Sequence, residues 1–181
     1  MASYAKFDVW QDSQGNAQNT VLQVVKTSLG DDLGTTSNDN TNNFPAWVIY
    51  TNTTTWTTTN NLQLTITPKF SNSLIRLDLC VSLGISAANN SCGLRVIRGE
   101  KIVFRPMHNT TGPFDINYHS AGNEHGQRSF IFYDEPNTVE TITYSLQYRA
   151  YSSANSVAFF GWTGSGHYAP LNTFSAMEIA R

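Results

Sequence analysis

A chain of 181 residues with net charge −2 has the length of one domain, or of one domain and a small extra piece, and it can bury roughly 70% of its unfolded surface without help from a metal or disulfide. Charged residues make up 13%, against about 25% in an ordinary domain, while Ser, Thr and Asn fill 56 positions and aromatics 12%; this excludes a disordered chain and points to an all-β protein with a polar, nearly uncharged skin. The eleven Lys and Arg form no basic stripe, which argues against a nucleic-acid partner, and no apolar run reaches the length of a membrane span.

In chain order, residues 1–29 hold two short strand-like pieces, AKFDV and TVLQVV, on either side of the turn signal DSQGN. The opening MASYAKFDVW has no apolar h-region, so the protein is expected to be made in a cytosol and to leave, if at all, on or inside a particle. GDDLGTTSNDNTNNFP, residues 30–45, has almost no apolar side chain and reads as a polar loop or hinge. The division is therefore an N-terminal attachment arm (1–29), a hinge (30–45) and a body (46–181). The body is expected to stay folded when the arm is deleted.

Strand patterns follow at 47–51, 54–59, 62–67, 74–84, 93–98, 101–106, 127–134, 139–151, 156–162 and 172–180. Turn signals separate most of them, notably Asn60-Asn61, PKFSNS, Gly99-Glu100, DEPN and TGSGHYAP. YTNTTTWTTTNN, at 50–61, reads as strand rather than linker, because β-branched threonine suits a solvated pleat. Its Tyr50 and Trp56 would share a face, and Asn60-Asn61 would turn the chain into the next strand. Asn52, Asn89 and Asn109 open glycosylation-type triplets, which an Asn/Thr-rich chain without a signal peptide produces by chance.

Alternation assigns the faces. Leu62, Leu64 and Ile66 point one way; so do Ile75, Leu77, Leu79, Val81 and Leu83, and so do Ile142, Tyr144, Leu146, Tyr148 and Ala150. Strands with one wet and one dry face make a two-layer antiparallel sandwich. Two segments break the pattern. In SFIFYDE, Phe130 and Phe132 oppose Ile131 and Tyr133, and in VAFFGW, Val157 and Phe159 oppose Phe160 and Trp162. A strand apolar on both faces is covered on both faces, so Phe130, Ile131, Phe132, Tyr133, Phe159, Phe160 and Trp162 are expected at an oligomer interface. A locally irregular core is the plainer alternative. Cys80 falls mid-strand and Cys92 at the tip of a following hairpin, which would set Cys80 opposite Arg98 and leave two free thiols.

No catalytic pattern stands out. His119, His125 and Glu124 share a polar loop with no zinc-like spacing, and Asp134-Glu135 before Pro136 reads as an acidic turn. No phosphate-cradling or nucleophile-elbow motif is present, so neither catalytic residues, a metal nor a cofactor is expected. A glycan site is the better rival. Aromatic platforms beside amides grip sugars, and Trp162, His167 and Tyr168 in one loop, or His108 and Asn109 in another, supply those ingredients.

LQLTITPKFSNSLIRLDLCVSLG (62–84), LRVIRGEKIV (94–103), FIFYDEPNTVETITYSLQYRA (130–150) and NTFSAMEIAR (172–181), with TVLQVVKT near residue 20, resemble stretches of a family of small jelly-roll virion proteins of marine tailed bacteriophages, found as tail-fibre, knob or capsid-decoration proteins. That resemblance implies an all-β, two-layer antiparallel jelly-roll sandwich preceded by a short N-terminal β arm. It also implies a homotrimer on the virion that meets other virion proteins through the arm residues Phe7, Val9, Trp10, Val21, Leu22, Val24 and Val25. A long fibre needs a repeat or heptad shaft and this chain has none, so a knob or decoration role fits its length better. The expected function is a non-enzymatic virion structural protein. A lectin-like module for host-surface glycan is second, and a polysaccharide-acting enzyme third.

Overall fold

Period-two patterning builds the strands of the core. The computed structural model describes residues 20–29, 49–51, 54–85, 92–106, 124–150, 157–159 and 172–181. Among them are ten strands and no helix: β1 (Val21–Leu29), β2 (Ile49–Thr51), β3 (Thr57–Ile66), β4 (Leu74–Ile85), β5 (Cys92–Arg98), β6 (Lys101–Phe104), β7 (Glu124–Asp134), β8 (Ile142–Ala150), β9 (Val157–Phe159) and β10 (Asn172–Ile179).

All pairings are antiparallel and form two sheets. In the first, β10 lies between β1 and β4, and β7 takes the other edge of β4, so that Leu79 stands opposite Phe174 on one side and Phe130 on the other. Further along β4, the short β9 and then β2 extend the same sheet. The second sheet has the order β3-β8-β5-β6. Their inner faces share one core, built from Leu62, Leu64, Ile66, Leu94, Val96, Tyr144, Leu146 and Tyr148 of one sheet and Ile75, Leu77, Leu79, Val81, Phe132, Phe174 and Ala176 of the other. The architecture is sandwich-like.

Local chemistry fixes the turns. Gly99 adopts a positive φ of 59° at the first position of the two-residue loop joining β5 to β6, where Arg98 faces Lys101. Asn137, after β7, has φ 54°, a conformation asparagine tolerates better than most residues. In the turn between β3 and β4, the carboxyl of Glu178 on β10 accepts hydrogen bonds from the backbone N–H groups of Lys69 (2.7 Å) and Phe70 (3.3 Å) and from Ser73 Oγ (2.7 Å).

Three local expectations are corrected. The segments 74–84 and 93–98 do not make a hairpin, because β4 and β5 lie in different sheets. Cys80 faces Ser129 and Thr173, and Arg98 faces Tyr144 and Lys101. Alternation places a residue on a face but leaves the choice of layer open. The Cys80 thiol is free. Asn60 and Asn61 do not turn the chain but sit inside β3, where the register jumps from Thr58↔Gln147 to Gln63↔Ser145 and the strand absorbs three extra residues as an irregular bulge. Tyr50 and Trp56 consequently share no strand face: Tyr50 lies in β2 of the first sheet, and Trp56 immediately precedes β3 of the second.

Residues 21–29 do not stand apart from the body. They form β1, an edge strand hydrogen-bonded along β10 from Val21↔Ile179 to Leu29↔Asn172, and Thr20 adds a backbone bond from Ala180 at 2.9 Å.

Candidate functional site

Among the described residues, three places stand out for side-chain chemistry beyond the core: the outer face of β7, the end of β7 at Asp134, and the outer face of the second sheet around Trp56.

β7 is apolar on both faces. Its inward residues are satisfied within the chain: Phe132 is buried and stacks on Phe104 of β6 (ring centroids 4.3 Å, planes 11° apart), and Phe130 meets the same ring at 5.2 Å. The two sheets thus close against each other along the β6–β7 side. The outward residues are open to solvent, Ile131 at 59% and Tyr133 at 54% exposure. They flank the ion pair Arg76–Asp78 (3.1 Å) on β4, with Tyr133 opposite Arg76 and Ile131 opposite Asp78. The Tyr133 row continues through Met177 to the exposed Val24 on β1. Beyond β7 the sheet carries no further strand among the described residues.

The other residues expected at an interface or on the arm divide as follows. The backbone of Phe159 stands opposite Ile49 and Leu83, while Phe160 and Trp162 lie outside the described residues. On β1, Val21 and Val24 are exposed, Leu22 is half-buried, and Val25 packs on the core. Phe7, Val9 and Trp10 lie outside the described residues, as do the glycan candidates Trp162, His167, Tyr168, His108 and Asn109, and also His119. Glu124 and His125 open β7. Among the described residues no group of His, Cys, Asp or Glu has metal-binding geometry, and no helix could cross a membrane.

Asp134 is more than an acidic turn residue. It ends β7, is 4% exposed, and accepts hydrogen bonds from Arg98 Nε (2.6 Å), Lys101 Nζ (2.8 Å) and the Tyr144 hydroxyl (3.1 Å). Burial pushes its pKa up, but the hydrogen bonds and charges of Arg98 and Lys101 outweigh that and hold it below the usual carboxylate value. Burial and the neighbouring Asp134 charge raise the Tyr144 hydroxyl far above its ordinary value, so it stays a proton donor. All these partners belong to the second sheet, which makes the cluster a cross-sheet rivet. Glu135, the next residue, is exposed and pairs with Arg181 at 2.7 Å. The adjoining cleft, lined by Leu74, Val103, Tyr133 and Glu135, is wide open.

Sequence reasoning missed the third place. Trp56 is half-buried on the outer face of the second sheet, where three guanidinium groups converge on its ring: Arg95 of β5 at 4.5 Å, Arg149 of β8 at 4.9 Å and Arg105 after β6 at 5.9 Å. Gly93 gives the ring its close seat. It faces Arg149, and a Cβ on it would lie 3.0 Å from the indole Cη2, so a larger residue would push the ring a few tenths of an ångström out of its seat. Arg95 is aimed by an amide relay: its Nε donates to Gln147 Oε1 (2.7 Å), and Gln147 Nε2 donates to Thr58 Oγ1 (3.0 Å). Burial lowers the Arg95 pKa, and the charges of Arg105 and Arg149 lower it further; Arg149 is lowered by burial and then by Arg105. The one signal in the sequence was the place of Arg149 on the wet face of its strand; nothing local joins residues 56, 95, 105 and 149.

No protein-family model matches the chain, and no curated protein is significantly similar to it.

Proposed function

We propose that this chain is a non-enzymatic structural protein of a tailed-bacteriophage particle, a homotrimeric jelly-roll knob, tail-fibre or capsid-decoration component. The observation that carries the assembly reading is β7. Its inner side is filled by Phe104, Phe130 and Phe132, while its outer side presents Ile131 and Tyr133 to solvent at the margin of a sheet. Covering each such side chain contributes ~1.5–3 kcal/mol, and a sheet margin offers directional main-chain hydrogen bonds to a partner strand. A second copy of the chain fits this surface.

The virion assignment is supported by the likeness of β3–β4, β5–β6, β7–β8 and β10 to strands of small phage jelly rolls, and by the low-charge, Thr/Asn-rich exterior. Docking to the particle is assigned to the N-terminal region. The exposed Val21 and Val24 on β1, the outermost strand of its sheet among the described residues, make a second surface for strand addition. Because β1 is part of the sheet, the truncation that tests docking is removal of residues 1–19, not 1–29.

Light scattering on the purified chain at micromolar concentration is expected to give three times the chain mass. Ile131→Asp combined with Tyr133→Asp is expected to give a monomer with an unchanged far-ultraviolet spectrum. A monodisperse wild-type monomer overturns the assembly reading.

A further inference from the structure

The outer face of the second sheet concentrates cations that the chain otherwise spreads thinly. Eleven Lys and Arg serve 181 residues, yet three arginines share one indole. Like charges gather only where something favours them. The ring faces attract each guanidinium, by ~0.5–1 kcal/mol at exposed sites and more where water is excluded. Burial first, and then the neighbouring arginine charges, lower the pKa values of Arg95 and Arg149, and both remain charged at neutral pH. An anion bound here would be stabilised by three charges at once.

Donor geometry points the same way. The bond to Gln147 is the one hydrogen bond of Arg95 among the described residues, and it occupies only Nε. Four Nη–H donors are left, in the planar fork that matches a carboxylate or sulfate. The relay from Thr58 through Gln147 holds that fork in place beforehand, so little side-chain freedom is lost on binding.

The surroundings define what carries the anion. Along β3 and β8 the outward positions next to the cluster are Thr58 and Gln147, Gln63 and Ser145, and Thr65 and Thr143. This is a neutral ladder of hydroxyls and amides, suited to sugar hydroxyls. A nucleic acid would require phosphate-spaced cations along that ladder, and there are none.

We propose that Arg95, Arg149 and Arg105, organised by Trp56 over Gly93, form an oxyanion site for the carboxylate or sulfate groups of an acidic polysaccharide, whose neutral hydroxyls run along the β3–β8 ladder. The site lies on the sheet opposite to β7 and does not depend on the assembly reading.

The test is titration calorimetry of the full chain with polygalacturonate, dextran sulfate, neutral dextran and a 20-base-pair DNA duplex at about 0.15 M salt. Wild type is expected to bind at least one acidic polymer, to ignore neutral dextran, and to weaken as salt rises. The better of the two acidic polymers identifies the oxyanion as carboxylate or sulfate. Arg95→Gln with Arg149→Gln is expected to lower the affinity tenfold or more, while Arg76→Gln on the other sheet leaves it unchanged. Should the double variant not fold, Arg95→Lys, which keeps the charge and loses the fork, is expected to lower affinity several-fold. No preference for acidic over neutral polymer, wild-type affinity in the arginine variants, or tighter binding of the DNA duplex overturns the proposal.

Discussion

Asp134 and Glu178 are both acidic residues removed from water, at 4% and 0% exposure, and both lie in the last two positions of a strand of the first sheet, yet opposite kinds of donor hold them. Asp134 is gripped by cations and a phenol from the facing sheet: Arg98, Lys101 and Tyr144. Glu178 is gripped by neutral donors: two backbone N–H groups and a hydroxyl of the β3–β4 turn, together with the Gln23 amide of β1 (2.5 Å). The first rivets layer to layer on the β7 side. The second welds a turn to the two strands at the β1 side. The difference lies in what remains when the acid is removed. Arg98 and Lys101 keep 19% and 55% of their side chains in water and can rehydrate, whereas the Ser73 hydroxyl is enclosed with its acceptor and the two backbone N–H groups and the Gln23 amide beside it are part-buried.

The comparison predicts a ranking. Glu178→Ala deprives the buried Ser73 hydroxyl and three part-buried donors of an acceptor at once and is expected to be the most damaging, at about 3–5 kcal/mol in chemical denaturation. Asp134→Ala is expected to cost less, about 2–4 kcal/mol, because its cations recover solvent. A reversal of that order breaks the distinction between the two sites. The pH profile sharpens it. A carboxyl whose pKa is lower in the folded state stabilises fully above its unfolded value, ordinarily 3.8, and loses that contribution as pH falls through the folded value. Wild-type stability is therefore expected to fall below about pH 4, with a flatter acid limb in Asp134→Asn, read from thermal midpoints. The smallest effect is that of Tyr144→Phe. It removes one donor from Asp134 while Arg98 and Lys101 remain, and should cost about 1 kcal/mol without changing the acid limb.

Much of the core was legible because alternation is local. Leu62, Leu64, Ile66, Ile75, Leu77, Leu79, Val81, Tyr144, Leu146 and Tyr148 all occupy the buried face their spacing assigned. The two-sided apolar pattern of β7 was legible for the same reason, and Ile131 and Tyr133 do point outward. What was hidden is long-range. Nothing in 74–98 tells a hairpin from a crossing between layers, so β4 and β5 were paired in expectation and are parted in the fold. Glu178 shares the parity of Phe174 and Ala176, which already put a carboxyl on the core side, but its donors sit more than a hundred residues earlier. The arginines around Trp56 come from three separate segments and meet only because the β8–β5 register sets Arg149 across from Gly93.

β10 is wedged between β1 and β4, strands encoded about 150 and 100 residues before it. Until residues 172–179 leave the ribosome, the β4 flank from Leu74 to Cys80 and the β1 strand lack their partner among the described strands. The seam between β1 and β4 thus closes only after residues 172–179 emerge, by loop closures that are entropically slow, and until then its strand edges are open to aggregation, a chaperone or a sister chain.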